Sequence, residues 1–291
     1  MSILVDRKTR LIVQGMTGRE GLYHTERMIE YGTNVVAGVT PGKGGQTALG
    51  IPVYGTVREA AEETGANATI LFVPAARALG GLIEAIEARI PLIVTVAEHV
   101  PVQDMMIAYH EARAAGVRIV GPNSFGVISP GKAKAGFMAH RIFMPGPVAL
   151  LSRSATNCYE AVSRLTARGI GQSTCVGVGG DRIAGSEFAD LLPMLQADAE
   201  TELIVLIGEI GGDQEERAAE VIKAGVTKPV IALIAGKSAP KGSIMGHAGA
   251  IVGADGAGSA QGKEAALRAA GAHIAGSTGE IAELAERLLS R

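Results

Sequence analysis

Short aliphatic runs recur along this chain, each bounded by glycine, proline or a helical stretch, and they constrain its fold more than any other feature. "RLIVQG", "NVVAGV", "ATILFV", "PLIVTV" and "VRIVGP" fall in the first half. Each is too short for a core helix and too continuously apolar for a half-exposed strand. Such runs suit strands covered on both faces. Between them, "REGLYHTERMIEYG", "VREAAEETG", "AARALGGLIEAIEAR" and "VQDMMIAYHEARAAG" carry helical spacing. Strand and helix in strict alternation predict a parallel sheet joined by right-handed crossovers. The pattern restarts at "VALLS" and continues through "STCVGVG", "TELIVLIG", "KPVIALIAG" and "AHIA", again with helices between. Residues 124–147, rich in proline and glycine and without helical period, interrupt it. The expected fold is therefore α/β. An N-terminal Rossmann-like domain over 1–123 is followed by a linker over 124–147. A flavodoxin-like open α/β domain follows over 148–291.

Composition narrows the function. With 47% hydrophobic but only 3% aromatic residues, the core is aliphatic. A net charge of −2 provides no basic field for nucleic acid or an anionic membrane, so anion binding must be local. The two cysteines, Cys158 and Cys175, make no disulfide framework and suit a reducing cytosol. "MSILVDRKTRLIVQG" enters an apolar strand at once, without signal- or transit-peptide character, so a cytoplasmic location is expected. No uncharged apolar run reaches the length of a membrane span. Histidines and cysteines are scattered without ligand spacing, so no metal site is expected.

Four strand–loop junctions carry candidate chemistry. "VQGMTGREG" places Gly15, Gly18 and Gly21 between a strand and a helix. Glycine there lets the backbone approach a phosphate, and the helix start offers N–H donors. The spacing departs from G-x-G-x-x-G, and a ligand-free tight turn would also fit. Where an NAD site wants an acid, "AGVTPGKGG" has Lys43, which suits a phosphorylated ribose, as in NADP or coenzyme A. In "LLSRSATN", Ser152, Ser154 and Thr156 meet a helix start, as an anion site or as plain N-caps. In "LIGEIGG", Glu209 ends an apolar strand, where it either caps an exposed end or orients an imidazole. "SIMGHAGAIVG" places His247 among glycines and alanines; the preceding "AGKS" is no P-loop, because Ile231 stands where glycine is required. Ser154, Glu209 and His247 each lie just past a strand's carboxyl end, where open sheets bind ligands.

The chain resembles the alpha subunits of succinyl-CoA synthetases and their acyl-CoA ligase relatives. The likeness covers nearly the whole sequence. It rests on "GMTGREGLYHTERMIEYGTNVVAGVTPGKGG", "GVISPG", "GQSTCVGVGGD", "IGEIGG", "KPVIALIAGKSAPKG" and "MGHAGAI". The resemblance implies a coenzyme A-binding first domain and a second domain whose histidine accepts a phosphoryl group. It also implies a beta subunit with an ATP-grasp domain that binds ATP or GTP with Mg, in an alpha–beta or larger heteromer. Under this reading His247 is the phosphorylated residue and Glu209 orients it. Thr17, Gly18, Arg19, Glu20, Lys43, Val96, Ala97 and Glu98 match coenzyme A-binding positions. Ser154 and Ala155 match the helix start that holds the phosphate, and Tyr159 matches a residue at the acid.

Two segments depart from the family pattern. Asn123, Ser124, Phe125 and Gly126 stand where the family has "NCPG", and Ala155 replaces the glycine of "SRSGT". Asn123, Ser124 and Phe125 are therefore candidate determinants of the small dicarboxylic acid. Succinate is the expected acid, with malate or another substituted dicarboxylate as the alternative. A coenzyme A-binding regulatory subunit and an NADP-dependent oxidoreductase stand as readings from other classes.

Overall fold

The computed structural model describes residues 2–238, 246–253 and 257–290. The start of the histidine loop, 243–245, lies outside the described residues.

The first sheet contains β1 (Leu11–Gln14), β2 (Val35–Val39), β3 (Thr47–Ala48), β4 (Ile51–Tyr54), β5 (Ala68–Leu71), β6 (Leu92–Thr95) and β7 (Arg118–Val120). Its order is β3-β4-β2-β1-β5-β6-β7. Without the antiparallel β3, this is the doubly wound Rossmann order, and the ligand crevice belongs where the direction reverses at β1. Helices α1 (Arg19–Glu30), α2 (Val57–Thr64), α3 (Ala75–Glu87) and α4 (Val102–Ala115) connect the strands. At the crevice, Gly15 takes φ +75°, and a Cβ on Gly21 would sit 2.1 Å from the Gly15 carbonyl oxygen. Glycine at both positions is what lets α1 start tight against β1. β3 and β4 are not evident from the sequence. β4 is a four-residue strand with Pro52, and only Val53 in it is buried, so its apolar signal is weak.

The second sheet holds β8 (Gly126–Ser129), β9 (Ala133–Gly136), β10 (Pro145–Ser152), β11 (Gln172–Gly177), β12 (Leu203–Glu209), β13 (Val230–Ala235) and β14 (His273–Ile274), in the order β14-β13-β12-β10-β11-β8-β9. The strands β10 to β14 pair in parallel with the flavodoxin connectivity that was expected. Helices α5 (Ala155–Ala167), α6 (Phe188–Ala197), α7 (Gln214–Gly225), α8 (Ala260–Ala269) and α9 (Thr278–Leu289) flank them.

The expectation of a linker over 124–147 needs correcting. β8 and β9 form an antiparallel hairpin that extends this sheet through β11. Pro130 and Gly131 make its turn: Lys132 donates its backbone N–H to the Ser129 carbonyl oxygen at 3.0 Å, and Gly131 has φ +75°. That is a type II turn, with proline and glycine in the two central positions. The small residues reflect close backbone approach, since a Cβ on Gly126 would meet the Ala135 carbonyl oxygen at 2.1 Å. The hairpin also joins the two units. Thr33 Oγ1 donates to the Lys134 carbonyl at 2.9 Å, and Ser129 Oγ to the Val5 carbonyl at 2.8 Å.

Among the described residues no helix is long and apolar enough to cross a membrane, and no cluster of His, Cys, Asp and Glu could hold a metal ion.

Candidate active site

Parallel register sets the level of the second domain's site. Ser152 aligns with Ile207 and with Gly177, and Glu209 aligns with Ala235. The residues just beyond β10, β11, β12 and β13 therefore emerge along one edge, and the histidine loop follows β13. There His247 Nδ1 lies 2.7 Å from Glu209 Oε2. A carboxylate can only accept, so the shared proton belongs to Nδ1 and the Nε2 lone pair is left to react. The His247 pKa is raised above its ordinary value. The hydrogen bond to Glu209 is the main cause; burial and the nearby Arg153 oppose it.

Glycines shape this pocket. A Cβ on Gly180 would sit 2.3 Å from His247 Nδ1, so the imidazole lies directly against the backbone. Gly249 donates its N–H to the Gly180 carbonyl at 3.2 Å, which ties the histidine loop to the loop after β11. We expect Gly180→Ala to keep the fold but push the ring off Glu209. In an NMR titration of the imidazole, its pKa should then fall back toward that of a free histidine. An unchanged titration would contradict the close packing.

Four charged residues that the sequence reading did not single out complete the site. Arg153, just past β10, has Nη2 3.1 Å from Glu209 Oε1. Glu215, on α7, pairs with Arg153 and with Lys263 on α8. Asp181, just past β11, accepts from Asn123 Nδ2 at 3.1 Å; burial raises its pKa, and it feels the charges of His99, His247 and Glu98. Asp181 does stand in the quoted "GGD", and Arg153 in "SRS". Glu215 and Lys263 read as solvated helix residues, yet neither is exposed to any degree.

The remaining candidates divide between two places. Thr17, Gly18, Arg19, Glu20, Lys43 and Val96 surround two adjoining cavities of about 670 and 550 Å3 at the start of α1, which share Gly18, Phe72, Val73 and Pro74. Thr17 Oγ1 donates to Thr40 Oγ1 at 3.1 Å, linking the ends of β1 and β2. A long ligand with apolar stretches and phosphates fits this crevice: aliphatic and aromatic walls, a helix N-terminus with bare glycines, and Lys43 at the rim. Ala97 and Glu98 lie outside both cavities. The Ala97 carbonyl accepts from the Asn123 N–H at 2.8 Å, and Glu98 acts on Asp181, so this loop runs from the crevice toward His247.

Several side chains are committed within the fold. Ser124 Oγ donates to the Gly177 carbonyl at 2.5 Å and accepts from the Gly126 N–H at 2.9 Å. Phe125 is buried against the Tyr159 ring, with centroids 5.6 Å apart. The Tyr159 hydroxyl is buried without a hydrogen-bond partner among the described residues, and burial pushes its pKa up. Ser154 is the N-cap of α5, accepting from the Asn157 N–H at 3.3 Å and from Asn157 Nδ2 at 3.1 Å; Ala155 is the first helical residue.

Comparison with known proteins points one way. Residues 6–99 match the CoA binding domain family, and residues 151–273 match the CoA-ligase family. A protein of Archaeoglobus fulgidus named succinate–CoA ligase (ADP-forming) subunit alpha 2 is 50% identical over 289 residues, covering 99% of this chain and 100% of its own. The succinate–CoA ligase (ADP-forming) subunit alpha of Aquifex aeolicus is also 50% identical, covering 99% of this chain and 95% of its own. Among solved structures, ATP citrate lyase from Methanothrix soehngenii, in complex with citrate and coenzyme A, superposes with a TM-score of 0.90 at 26% identity. The match covers 99% of this chain and 51% of that one, so the chain spans about half of the solved protein. The dinucleotide-forming acetyl-coenzyme A synthetase 1 of Ca. Korarchaeum cryptofilum shares the fold, with a TM-score of 0.80 at 22% identity.

Proposed function

Because this chain belongs to the family of succinate–CoA ligase alpha subunits, we propose that it carries the phosphoryl-accepting histidine of a nucleotide-dependent dicarboxylate–CoA ligase, at His247. The observation that supports this most is the 2.7 Å contact of His247 Nδ1 with Glu209, with only glycine and alanine flanking the histidine in sequence. It leaves Nε2 as the nucleophile. A neutral imidazole is needed to attack phosphorus, and the bond to Glu209, which raises the His247 pKa above its ordinary value, works against that neutrality.

The phosphoryl group passes from the nucleotide on a partner beta subunit to Nε2. It then passes to the acid's carboxylate, and the coenzyme A thiol attacks the acyl carbon of the resulting acyl phosphate, forming the thioester and releasing inorganic phosphate. Phosphoryl transfer asks chiefly for positioning and positive electrostatics. The start of α5, capped by Ser154, supplies such a dipole at the same sheet edge. Coenzyme A belongs in the crevice at α1, with Lys43 toward its ribose phosphate. The partner is expected to carry an ATP-grasp domain with ATP and Mg, and the assembly to be an alpha–beta heteromer in the cytoplasm, where nucleotide and coenzyme A are found. Succinate is the preferred acid on the names of the relatives. Malate is kept as the second reading, because Phe125 and Asn157 change the shape and polarity offered to a carboxylate and Ala155 adds a methyl at the helix start.

The test is reconstitution. The chain is mixed with a cognate beta subunit and ATP labelled on its terminal phosphate, then given coenzyme A and a panel of C4 dicarboxylates. Acid-labile label on His247 that discharges on adding coenzyme A with succinate or malate supports the proposal. Coenzyme A binding without label would favour a regulatory subunit. Tight NADPH binding without coenzyme A binding would favour an oxidoreductase.

A further inference from the structure

The proposed reaction makes two opposed demands on Glu209. Its carboxylate must hold the His247 Nδ1–H, yet the same negative charge favours a protonated imidazole, which has no lone pair to offer. The buried groups behind Glu209 answer this conflict. Arg153 is 4% exposed, and its Nη2 lies 3.1 Å from Glu209 Oε1 at an angle that makes no linear hydrogen bond, so the coupling is chiefly one of charge. Its Nη1 is anchored on the Gly211 carbonyl at 3.2 Å and on Glu215 Oε1 at 3.3 Å. Glu215 in turn accepts the Glu209 backbone N–H at 3.1 Å and pairs with Lys263 Nζ. Lys263 also reaches the Gly212 carbonyl and Glu216 Oε2, each at 3.0 Å. Gly208 admits the arrangement, since a Cβ there would sit 2.5 Å from Glu215 Oε1. A buried ionic network is rarely better for stability than packed apolar side chains, so stability alone does not account for this one.

We propose that Arg153, anchored by Glu215 and Lys263, is a positioning residue whose charge offsets that of Glu209, so that Glu209 orients His247 while favouring its protonation less than an uncompensated carboxylate would. The inference rests on His247 being the phosphorylated residue. Between Lys263 and Glu209 the chain of contacts holds two cations and two buried carboxylates, and their charges balance. Burial lowers the His247 pKa and Arg153 lowers it further, against the rise caused by Glu209. The other charged groups near the ring lie outside this chain. Asp181 also raises the His247 pKa, and it is flanked by Asn123, His99 and Glu98. Arg182 donates Nε to the Ala248 carbonyl at 3.3 Å and is exposed.

Variants of opposite charge effect test the proposal. The full chain is assembled with its beta subunit, and the rate of phosphate labelling is followed across pH. The His247 imidazole is also titrated by NMR in the chain alone. Arg153→Met and Lys263→Met each remove a cation. They should move the acid limb of labelling to higher pH, lowering the rate below it by roughly tenfold, with recovery at alkaline pH. Glu215→Gln removes an anion and should move the limb to lower pH. Arg153→Lys should restore the wild-type profile. A purely structural role would lower rates at every pH without moving the limb. If Arg153→Met does not fold, the opposite shifts of Lys263→Met and Glu215→Gln still decide the matter. Shifts in the same direction, or none, overturn the proposal. Absence of label on the wild type would instead overturn the reading of His247, and the imidazole titration separates that failure from this one.

Discussion

His247→Asn yields a folded chain that, with its beta subunit and ATP, takes up no acid-labile phosphate and ligates no acid to coenzyme A. The expected loss is on the order of a millionfold, comparable to removing the nucleophile from a well-studied hydrolase. The fold should survive because the His247 side chain is partly exposed and belongs to none of the apolar cores of the described residues. Asparagine matches the shape near Nδ1 and can still donate to Glu209, but it has no nucleophilic nitrogen at the Nε2 position. Filter-bound label after denaturation at alkaline pH reads the phosphohistidine, and circular dichroism checks the fold. Label on the variant equal to the wild type would move the phosphoryl group to another residue and sink the proposed function. Coenzyme A binding should be unaffected, because the crevice at α1 lies in the other domain.

What the sequence made legible follows from what decides each feature. β10 to β13 could be read directly, because a strand buried on both faces must be apolar throughout: β12 is buried along its whole length. Glu209 and Ser154 could be placed at one edge because parallel strands share a direction, and the observed register bears this out. β8 and β9 could not. "GVIS" and "AKAG" are short and small, and glycine that allows two backbones to meet looks like glycine that breaks a strand. The network behind Glu209 was hidden for a related reason. Lys263 and Glu215 have side chains that usually face water on a helix. Only the packing of α7 against α8 places them inside. Ser154 shows the opposite case, where a local rule was sufficient: its hydroxyl caps α5, as serine before a helix usually does.

Glu209→Gln should be more damaging than Glu209→Ala, and the reason lies in Arg153. An amide has one accepting and one donating end. The charge of Arg153, with Nη2 3.1 Å from Oε1, favours the amide oxygen at that end, so the amide NH2 is turned toward His247 Nδ1. That donor stabilises the tautomer with its proton on Nε2, the wrong one for attack. A wrong-tautomer substitution of this kind costs roughly a 10^3- to 10^4-fold loss in the catalytic step. Alanine imposes no tautomer, and the expected loss is nearer 10^2-fold. Its penalty falls on stability, because Arg153 loses a buried partner; breaking such a pair costs about 3–5 kcal/mol. Protonation does not explain the loss in the Gln variant. The bond to Glu209 is the main cause of the raised His247 pKa, so its removal lowers that pKa and moves the acid limb of labelling to lower pH. More of the imidazole is then neutral at pH 6, and the rate still falls. Single-turnover labelling across pH, with thermal melts of both variants, measures each part. A Gln variant within about threefold of the wild type would show that the carboxylate does not set the tautomer, whereas a slow variant with a down-shifted limb would tie the rate to which nitrogen carries the proton.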